Sequence, residues 1–299
     1  MSSENLVAKI QSAYPEFTRT EKKVADYVLK NQKKVLYMSI TDLADACQVG
    51  DTSVYRFCRT LNLQGYQEFK LKLSLGLRST TTQIGVVSPT SNAAIDDSLR
   101  GTADRVLQIH TSAHRETYSL LDQDRFVEFL RLIENSRRVY FFGIGDSLLS
   151  AQEACNKFMR IAPKVYCLSD PHMQSMAAAT MTEEDFLVIV SYSGSTKDNI
   201  HVAKIAKNAG AKLGCITRFA KSPLASYCDA LLLCGSDEGP LDGGSIGVKV
   251  SQLFLIDLLY QEYYNRNYDA SMENNQKASN AVLDKLFKRL KGKYGSYQQ

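Results

Sequence analysis

The stretch DFLVIVSYSGSTKDNI, residues 185–200, decides the fold of the second half of the chain. Its first part, Phe186 to Val190, is continuously apolar, as expected of a strand buried on both faces of a parallel sheet. The chain then passes through three serines, a tyrosine and a threonine between Ser191 and Thr196. Because a loop that only had to turn would need Gly or Asn, this excess of hydroxyl groups indicates a binding role.

The same alternation of strands and helices surrounds this stretch after Arg137. Five segments are typical of strands: RVYFFGIG, KVYCLS, DFLVIVSYS, AKLGCIT and DALLLC. Four segments between them have helical spacing: SLLSAQEACNKFMRI, PHMQSMAAATM, DNIHVAKIAKNAG and KSPLASYC. Strands that alternate with helices form parallel sheets. The sequence therefore predicts an α/β body with a doubly wound parallel sheet and helices on both faces, followed by the long helix GVKVSQLFLIDLLYQEYY and the basic helix SNAVLDKLFKRLKGK.

Two strand-to-helix loops of this predicted sheet carry candidate ligand groups. They are GIGDSLLSA, residues 143–151, and the hydroxyl-rich loop at 191–196. In an open α/β sheet, ligands bind at the carboxyl ends of the strands, where helix N-termini favour an anion. Hydroxyl groups can donate to phosphate oxygens and can also pair with sugar hydroxyls. The residues that offer them are Ser147, Ser191, Ser193 and Thr196.

Helix capping and nucleotide binding are the alternative roles for these two loops. The hydroxyls could simply cap the helices that follow, which is easier to accept for one loop than for both. GIGDSL begins like the dinucleotide motif G-x-G-x-x-G, but Leu148 stands at the third glycine and would crowd the helix–strand contact. A P-loop is excluded, because the sequence contains no G-x-x-x-x-G-K-[ST].

Residues 1–77 contain helical patterns only and predict an all-α head. Within them, SITDLADACQVGDTSVYRFCRTL has the proportions of a helix-turn-helix, with a short helix ending at Cys47, a three-residue turn and a second helix from about Asp51. Five polar side chains of the second helix should face solvent: Thr52, Ser53, Tyr55, Arg56 and Arg59. These residue types contact bases and phosphates from a helix in the major groove. An ordinary helix pair with a polar outer face is the alternative.

Composition and charge restrict the function further. No apolar run approaches the roughly 20 residues of a membrane span, and the N-terminus lacks a signal-peptide layout. The seven cysteines form no CxxC pair, which is typical of reduced thiols in a cytoplasmic protein. Residues 1–80 carry 12 Lys and Arg against 8 Asp and Glu, so the head is mildly basic. This surplus fits a domain that meets a polyanion, but it is equally typical of an ordinary solvated helix surface, so charge alone does not decide between them.

The run SITDLADACQVGDTSVYRFCRTLNLQGYQEFK resembles the N-terminal domain of the RpiR family of bacterial transcriptional regulators. The shared residues include Arg56-Phe57-Cys58-Arg59, Gly65-Tyr66 and Phe69-Lys70. The resemblance implies DNA binding and adds Lys70 to the candidate DNA contacts. One departure is Gly50 followed by Asp51, where the family usually has Ser at the start of the recognition helix. Both residues can act as N-caps, but a carboxylate there would lie near DNA phosphates.

Residues from about 130 to 265 resemble a SIS (sugar isomerase) domain, on the motifs FFGIGDS, KFMRI, SDPHMQ, SYSGSTKDNI and SPLASYCDALL. This resemblance implies a SIS-type sheet and a phosphosugar held by the two loops. The implied binding residues are Gly145, Ser147, Ser191, Ser193, Gly194 and Thr196, with His172 near the ligand. Two departures are Ala162-Pro163 in place of a Gly and Ser195 in place of the acidic residue common in S-x-S-G-E-T.

These features together predict a DNA-binding transcriptional regulator. Its SIS domain would sense a phosphosugar and modulate operator binding, controlling genes of carbohydrate or amino-sugar metabolism. We expect a homodimer or homotetramer on palindromic double-stranded DNA, without catalytic residues, cofactor, metal or membrane association. His110 and His114 have metal-ligand spacing, but no third ligand accompanies them. A phosphosugar isomerase or lyase with a helical appendage, and a regulator whose SIS domain serves only dimerisation, remain alternatives.

The expected domain boundaries follow from these patterns. The helix-turn-helix domain should span 1–77, and a linker with a connecting helix should span 78–127. The linker is the stretch from about 78 to 100, which is rich in Ser and Thr and has no helical period. The SIS domain should then cover 128–270, and a C-terminal basic helix and tail should cover 271–299.

Overall fold

A computed structural model describes residues 6–79, 98–236 and 246–294 of the chain. The chain divides into two compact units, one formed by Met1–Glu116 with Gly235–Val250 and the other by Thr117–Cys234 with Ser251–Gln299. Most of the predicted linker, residues 80–97, lies outside the described residues.

The first part of the chain is helical, as the sequence predicts. Its helices are α1 (Leu6–Ala13), α2 (Arg19–Lys30), α3 (Gln32–Val35), α4 (Ile40–Cys47), α5 (Asp51–Thr60), α6 (Tyr66–Ser79) and α7 (Leu99–Ser119). A core of buried apolar residues joins α1 to α6, and three aromatic rings meet edge to face within it. Phe17 and Phe57 have their ring centroids 5.3 Å apart, and Phe57 and Phe69 have theirs 5.8 Å apart.

Local sequence signals set the ends of these helices. Capping boxes begin α2 and α4, formed by Thr18 with Glu21 and by Ser39 with Asp42. Helix α4 ends at Cys47, and its C-cap residue Gln48 takes the left-handed conformation with φ of 55°. The predicted three-residue turn between α4 and α5 is therefore confirmed, because α5 starts at Asp51.

The second part of the chain forms the α/β body. Its helices are α8 (Gln123–Asn135), α9 (Asp146–Phe158), α10 (Pro171–Ala179), α11 (Lys197–Asn208), α12 (Ile246–Arg266) and α13 (Tyr268–Tyr294). Its strands are β1 (Arg138–Gly143), β2 (Val165–Tyr166), β3 (Asp185–Val190), β4 (Lys212–Thr217) and β5 (Ala230–Leu233). All five pair in parallel in the order β2-β1-β3-β4-β5. The predicted strands and the parallel sheet are thus confirmed.

Helices cover both faces of this sheet, as predicted. Alternate residues of the strands, such as Val188 and Val190 of β3, belong to a core with apolar residues of α8, α9 and α12. The residues between them, such as Leu187 and Ile189, belong to a second core with residues of α11 and the end of α10. Strand β3 is buried along its whole length, which accounts for its continuously apolar sequence.

Two helical predictions differ from the structure. The segment KSPLASYC contains only a three-residue 3₁₀ helix, Ala225–Tyr227. Pro223 lacks a backbone N–H and the segment is short, so a full α-helix does not form there. The predicted basic C-terminal helix is the second half of the longer α13, which already begins at Tyr268.

An ion pair links the amino end of β1 to the amino end of β3. Arg138 donates from Nε to Oδ1 of Asp185 at 2.9 Å and from Nη2 to Oδ2 at 2.7 Å. Burial raises the pKa of the Asp185 carboxyl, but hydrogen bonds from Arg138 and the Thr182 N–H more than offset it and lower this pKa to about 2.

Within the part of the chain that the structure describes, no helix combines the length and the apolar character needed to cross a membrane.

Candidate functional site

Helix α5 exposes the polar side that the sequence predicts. Val54, Phe57 and Cys58 are fully buried on its inner side. The predicted DNA contacts on α5 lie away from this core: Thr52, Tyr55, Arg56 and Arg59 are exposed, and Ser53 is half-buried. Five of the six candidate DNA contacts thus come together on one helix surface.

The sixth candidate, Lys70, lies apart from this surface. It belongs to α6, is only 9% exposed, and its Nζ lies 5.4 Å from the centroid of the Tyr66 ring. A buried ammonium over an aromatic face stabilises the packing of α6. The structure therefore does not bring Lys70 together with Arg56 and the other exposed residues of α5.

Asp51, at the start of α5 where the chain departs from the family pattern, has a structural role. The Thr41 hydroxyl of α4 donates to Oδ2 of Asp51 at 3.0 Å, so this carboxylate links α4 to the first turn of α5. A carboxylate in the first turn also interacts favourably with the helix dipole. Thr41 was not among the sequence-predicted residues, since its partner lies ten positions away on another helix.

The two hydroxyl loops of the body leave the sheet from neighbouring strands. Strands β1 and β3 are paired up to Gly143 and Val190, so Ile144 and Ser191 begin the two loops side by side. Strand β2, which follows β1 in the chain, is the neighbour of β1 on one side, whereas β3 is its neighbour on the other side and is followed by β4 and β5. This position between β1 and β3 is the topological switch point, where open α/β sheets bind ligands.

The first loop brings Gly145 and Ser147 to the N-terminus of α9. Gly145 is the N-cap of α9 and has φ of 60° and ψ of −132°, a conformation open essentially to glycine alone. Ser147 is half-buried in the first turn, and its hydroxyl makes no hydrogen bond with any described residue. The loop therefore offers the Ser147 hydroxyl at the N-terminus of α9, the end of a helix that attracts an anion.

The second loop is packed tightly against the chain that follows β4. Ser191 is only 2% exposed, and its N–H donates to the Ile216 carbonyl at 3.0 Å. Gly194 has φ of 58°, and a Cβ added there would lie 2.1 Å from Oγ of the buried Ser222. The Gly194 carbonyl accepts from the Leu224 N–H at 2.9 Å. These contacts hold the backbone of the loop in one conformation.

The chain after β4 forms a third loop that the sequence patterns did not reveal. The Thr217 hydroxyl and the Arg218 N–H both donate to the Tyr192 carbonyl at 3.0 Å. Thr217 is fully buried, and the rings of Tyr192 and Phe219 meet edge to face at 5.8 Å. This loop has the sequence ITR followed by KSPL, and no local pattern indicates its role because Thr217 contacts a residue 25 positions earlier in the chain.

Capping does not account for the hydroxyl groups of the second loop. Thr196 is the N-cap of α11, yet its side chain makes no capping hydrogen bond. Other helices of this body are capped by their N-cap side chains, since Asp122 accepts from the Arg125 N–H and Asp170 from the Met173 N–H. Ser193 has one local contact, with its Oγ accepting from the Ser195 N–H at 3.2 Å. The Ser191 and Thr196 hydroxyls make no hydrogen bond within the described residues.

His172 lies at the same edge of the sheet, in the first turn of α10. Its side chain is exposed. The neighbouring Gln174 is buried and donates from Nε2 to the carbonyls of Gly143 at 3.2 Å and Leu168 at 2.8 Å. This amide ties the start of α10 to the end of β1, but no contact joins His172 to the hydroxyl loops in the described part of the chain.

Two further histidines, which have metal-ligand spacing in the sequence, lie on one helix. His110 and His114 lie on α7, and within residues 6–79, 98–236 and 246–294 no group of three or more His, Cys, Asp or Glu side chains is arranged to hold a metal ion.

Comparisons with known proteins match both parts of the chain. Residues 4–80 match the model of the helix-turn-helix domain of the rpiR family, and residues 132–261 match the SIS domain. An HTH-type transcriptional regulator of Haemophilus influenzae is 35% identical over 286 residues, which cover 96% of this chain and 99% of the relative. The HTH-type transcriptional regulator HexR of Pseudomonas aeruginosa is 33% identical over 74% of this chain and 75% of its own length.

A solved structure is similar over nearly the whole length. The Vibrio vulnificus NanR protein, determined in complex with ManNAc-6P, has a TM-score of 0.83 at 27% identity and covers 94% of this chain and 98% of its own. The two family models, in this order along the chain, and the similar transcriptional regulators lead to the same identification. The chain is therefore a DNA-binding transcriptional regulator of the RpiR family, with an N-terminal helix-turn-helix domain and a C-terminal SIS domain.

Proposed function

We propose that the SIS domain binds a phosphosugar and thereby changes the affinity of the helix-turn-helix domain for operator DNA. The observation that carries this proposal is the arrangement at the switch point between β1 and β3. Two helices of 13 and 12 residues, α9 and α11, begin there beside hydroxyl groups that make no hydrogen bond within the described residues. The regulated genes would belong to carbohydrate or amino-sugar metabolism.

The chemistry of the two loops fits both parts of a sugar phosphate. Backbone N–H groups at the N-termini of α9 and α11 attract an anion, and the Thr196 hydroxyl stands at the second of these helices. Ser147 and Ser191 have hydroxyls that can donate to or accept from sugar hydroxyls. Gly145 has open space where a Cβ would lie, so a ligand can approach its backbone, and Gly194 lets the second loop pack directly against Ser222. His172, exposed at the same edge, would contact the sugar.

The relatives support this class of effector. NanR of Vibrio vulnificus was determined with ManNAc-6P, an amino-sugar phosphate, and resembles this chain over both domains. We therefore place hexose and amino-sugar phosphates first among the effectors to be tested. Ser195 stands at the acidic position of the motif S-x-S-G-E-T that the chain resembles, and its Oγ donates to the Ser193 carbonyl at 3.2 Å. We expect the loop to contact the sugar without a carboxylate at this position.

On DNA, the protein would act as a cytoplasmic homodimer or homotetramer. Two copies of α5 would read the halves of a palindrome, since the symmetry of a dimer matches the symmetry of its operator. Effector binding would change the packing of SIS domains, the spacing of the DNA-binding domains and hence the affinity for the operator.

A second candidate function is phosphosugar isomerisation or elimination. His172 favours it, because a histidine at the ligand edge of the sheet could act as a general base. The helix-turn-helix domain favours the regulator, since an isomerase has no need of a DNA-binding surface. Incubation of the protein with each sugar phosphate distinguishes the two, and product formation would support the enzyme.

The direct test of effector binding is a thermal-shift screen of the full chain against hexose and amino-sugar phosphates. We expect at least one to raise the unfolding temperature of the wild type, and to do so much less in Ser193→Ala. Ser112→Ala, an exposed serine of α7, is the matched control and should respond like the wild type. If no sugar phosphate stabilises the wild type, the SIS domain serves dimerisation only and the proposal is wrong.

A further inference from the structure

A buried carboxylate, Glu21, joins the first turn of α2 to the last residue of α5. Glu21 is 7% exposed. Its Oε2 accepts from the backbone N–H of Thr18 at 2.8 Å and from the Thr18 hydroxyl at 2.7 Å. Its Oε1 accepts from the hydroxyl of Thr60 at 2.7 Å, across 39 positions of sequence. Glu21 therefore contacts the recognition helix as well as capping its own helix.

The Glu21 carboxylate is held in its charged form. Burial raises its pKa, but hydrogen bonds from Thr60 and Thr18 and the positive charge of Arg56 outweigh burial and lower it. Arg56 and Thr60 are four residues apart, so they share one side of α5. The carboxylate thus faces the side of α5 that carries a candidate base-reading arginine.

A helix can be capped without a hydrogen bond like the one from Thr60 to Glu21, as the second capping box of this domain shows. In α4, Oδ2 of Asp42 accepts from the Ser39 N–H at 3.0 Å and from the Ser39 hydroxyl at 2.7 Å. The chemistry is the same as at Glu21, but no hydrogen bond joins Asp42 to another helix in the described part of the chain. Asp42 is therefore a natural control for Glu21.

We propose that Glu21 is a positioning residue for DNA recognition, which fixes the angle at which α5 lies and orients Arg56. Helix α5 has 10 residues and is about 15 Å long. If the bond at its last residue were lost, a tilt of about 10° would move the other end of the helix by roughly 2–3 Å. Recognition helices contact base edges mainly with their N-terminal residues, so such a movement would break base contacts. The inference depends on DNA binding alone and not on the effector.

The sign of the effect separates positioning from simple charge. A carboxylate near DNA repels phosphates, so its neutralisation should tighten binding to every sequence if charge were its only influence. Positioning requires the opposite result for the cognate sequence, because base contacts are lost while phosphate contacts persist.

The test uses the full chain, a duplex selected by the wild type from random DNA, and a scrambled duplex. We expect Glu21→Gln and Thr60→Val each to weaken binding to the selected duplex about fivefold or more, as loss of a charge-assisted hydrogen bond implies. Binding to the scrambled duplex should stay unchanged or tighten. The double variant should bind within about twofold of either single variant, because both remove the same bond.

Asp42→Asn is the control for loss of a cap, and circular dichroism melting of each variant verifies its folding. We expect the control to bind the selected duplex within about twofold of the wild type. The salt dependence of binding should keep its slope in Thr60→Val. Unchanged or tighter binding of Glu21→Gln to the selected duplex overturns the proposal. An equal loss of affinity for the selected and the scrambled duplex in Thr60→Val also overturns it, since Thr60 would then contact a phosphate itself.

Discussion

Gly143 of β1 and Val190 of β3 are opposite one another at the last paired position of the two central strands. Neighbouring strands of a sheet lie about 4.8 Å apart, so the loops that follow begin at this separation. The register between these two residues therefore places Ser147 and Ser191 in loops at one edge of the sheet, although 43 residues separate them in sequence.

Removing the unused hydroxyls should weaken effector binding without weakening the fold. Ser147→Ala and Thr196→Ala leave no described protein group without a partner, so the free energy of unfolding should change by no more than about 0.5 kcal/mol. Affinity for the stabilising sugar phosphate, measured by calorimetry, should fall about fivefold or more in each. Ser195→Ala removes a hydroxyl that bonds within the loop and should have a smaller effect. Unaltered effector affinity in both variants would remove these hydroxyls from the site.

Gly194→Ala should destabilise the protein and abolish effector binding. The new Cβ would lie 2.1 Å from Oγ of Ser222, which is buried, and the residue would keep a φ of 58°. Strain and crowding together should cost about 3 kcal/mol, measured by urea unfolding. Gly210→Ala is the matched control, since its φ is 94° but the nearest atom lies 3.7 Å away. A loss of about 1 kcal/mol is expected there, and equal losses would contradict the crowding at Gly194.

Protonation of Asp185 should lower the free energy of unfolding in acid. Its pKa of about 2 in the folded protein is lower than the value of about 3.9 in an unfolded chain, so the ionised carboxylate stabilises the fold by about 2–3 kcal/mol above pH 4. That contribution should be lost as the pH falls from about 4 to 2. Asp185→Asn should lower the free energy of unfolding at pH 7 by about 3 kcal/mol and flatten this acid dependence.

Asp257→Asn gives the comparison for Asp185, because Asp257 pairs with Lys157 but its side chain is 59% exposed. Urea unfolding of each protein at about pH 2, 3, 4 and 7 should show nearly the same free energy of unfolding for Asp257→Asn as for the wild type. A wild type whose stability is constant between pH 2 and 4 would be at odds with the buried ion pair.

Arg56 and Lys70 should behave differently on DNA. Arg56→Ala removes an exposed cation from α5 and should weaken operator binding by about 1–3 kcal/mol. Lys70→Met keeps the aliphatic stem of a buried side chain and should leave the salt dependence of DNA binding unchanged. Fluorescence anisotropy at several salt concentrations measures both. Retained affinity in Arg56→Ala would place the recognition surface elsewhere.

Features governed by nearby residues could be predicted from the sequence. The apolar run from Phe186 to Val190 identified a fully buried strand, and the helix-turn-helix pattern located the end of α4 at Cys47 and the start of α5 at about Asp51. The two hydroxyl loops also follow from local patterns, since each comes directly after such a strand. Their meeting at the switch point followed once the strands were known to be parallel.

Features set by long-range pairing could not be predicted. The Thr60 hydroxyl meets Glu21, and the Thr217 hydroxyl meets the Tyr192 carbonyl, but neither pairing leaves a periodic signal in the sequence. Lys70 was a candidate through the family resemblance alone, and no local pattern in the sequence indicated that its side chain would be buried.

Control of DNA binding by a phosphosugar at the β1–β3 edge can be measured in a single titration. Operator affinity of the full chain is measured by anisotropy at increasing concentrations of ManNAc-6P and of the sugar phosphate that stabilises the protein best. We expect a saturable change in affinity of about fivefold or more, and an equal change in effector affinity when operator is present, as linkage requires. Ser193→Ala should lose both changes. A sugar phosphate that binds the protein but leaves operator affinity unchanged would contradict the account.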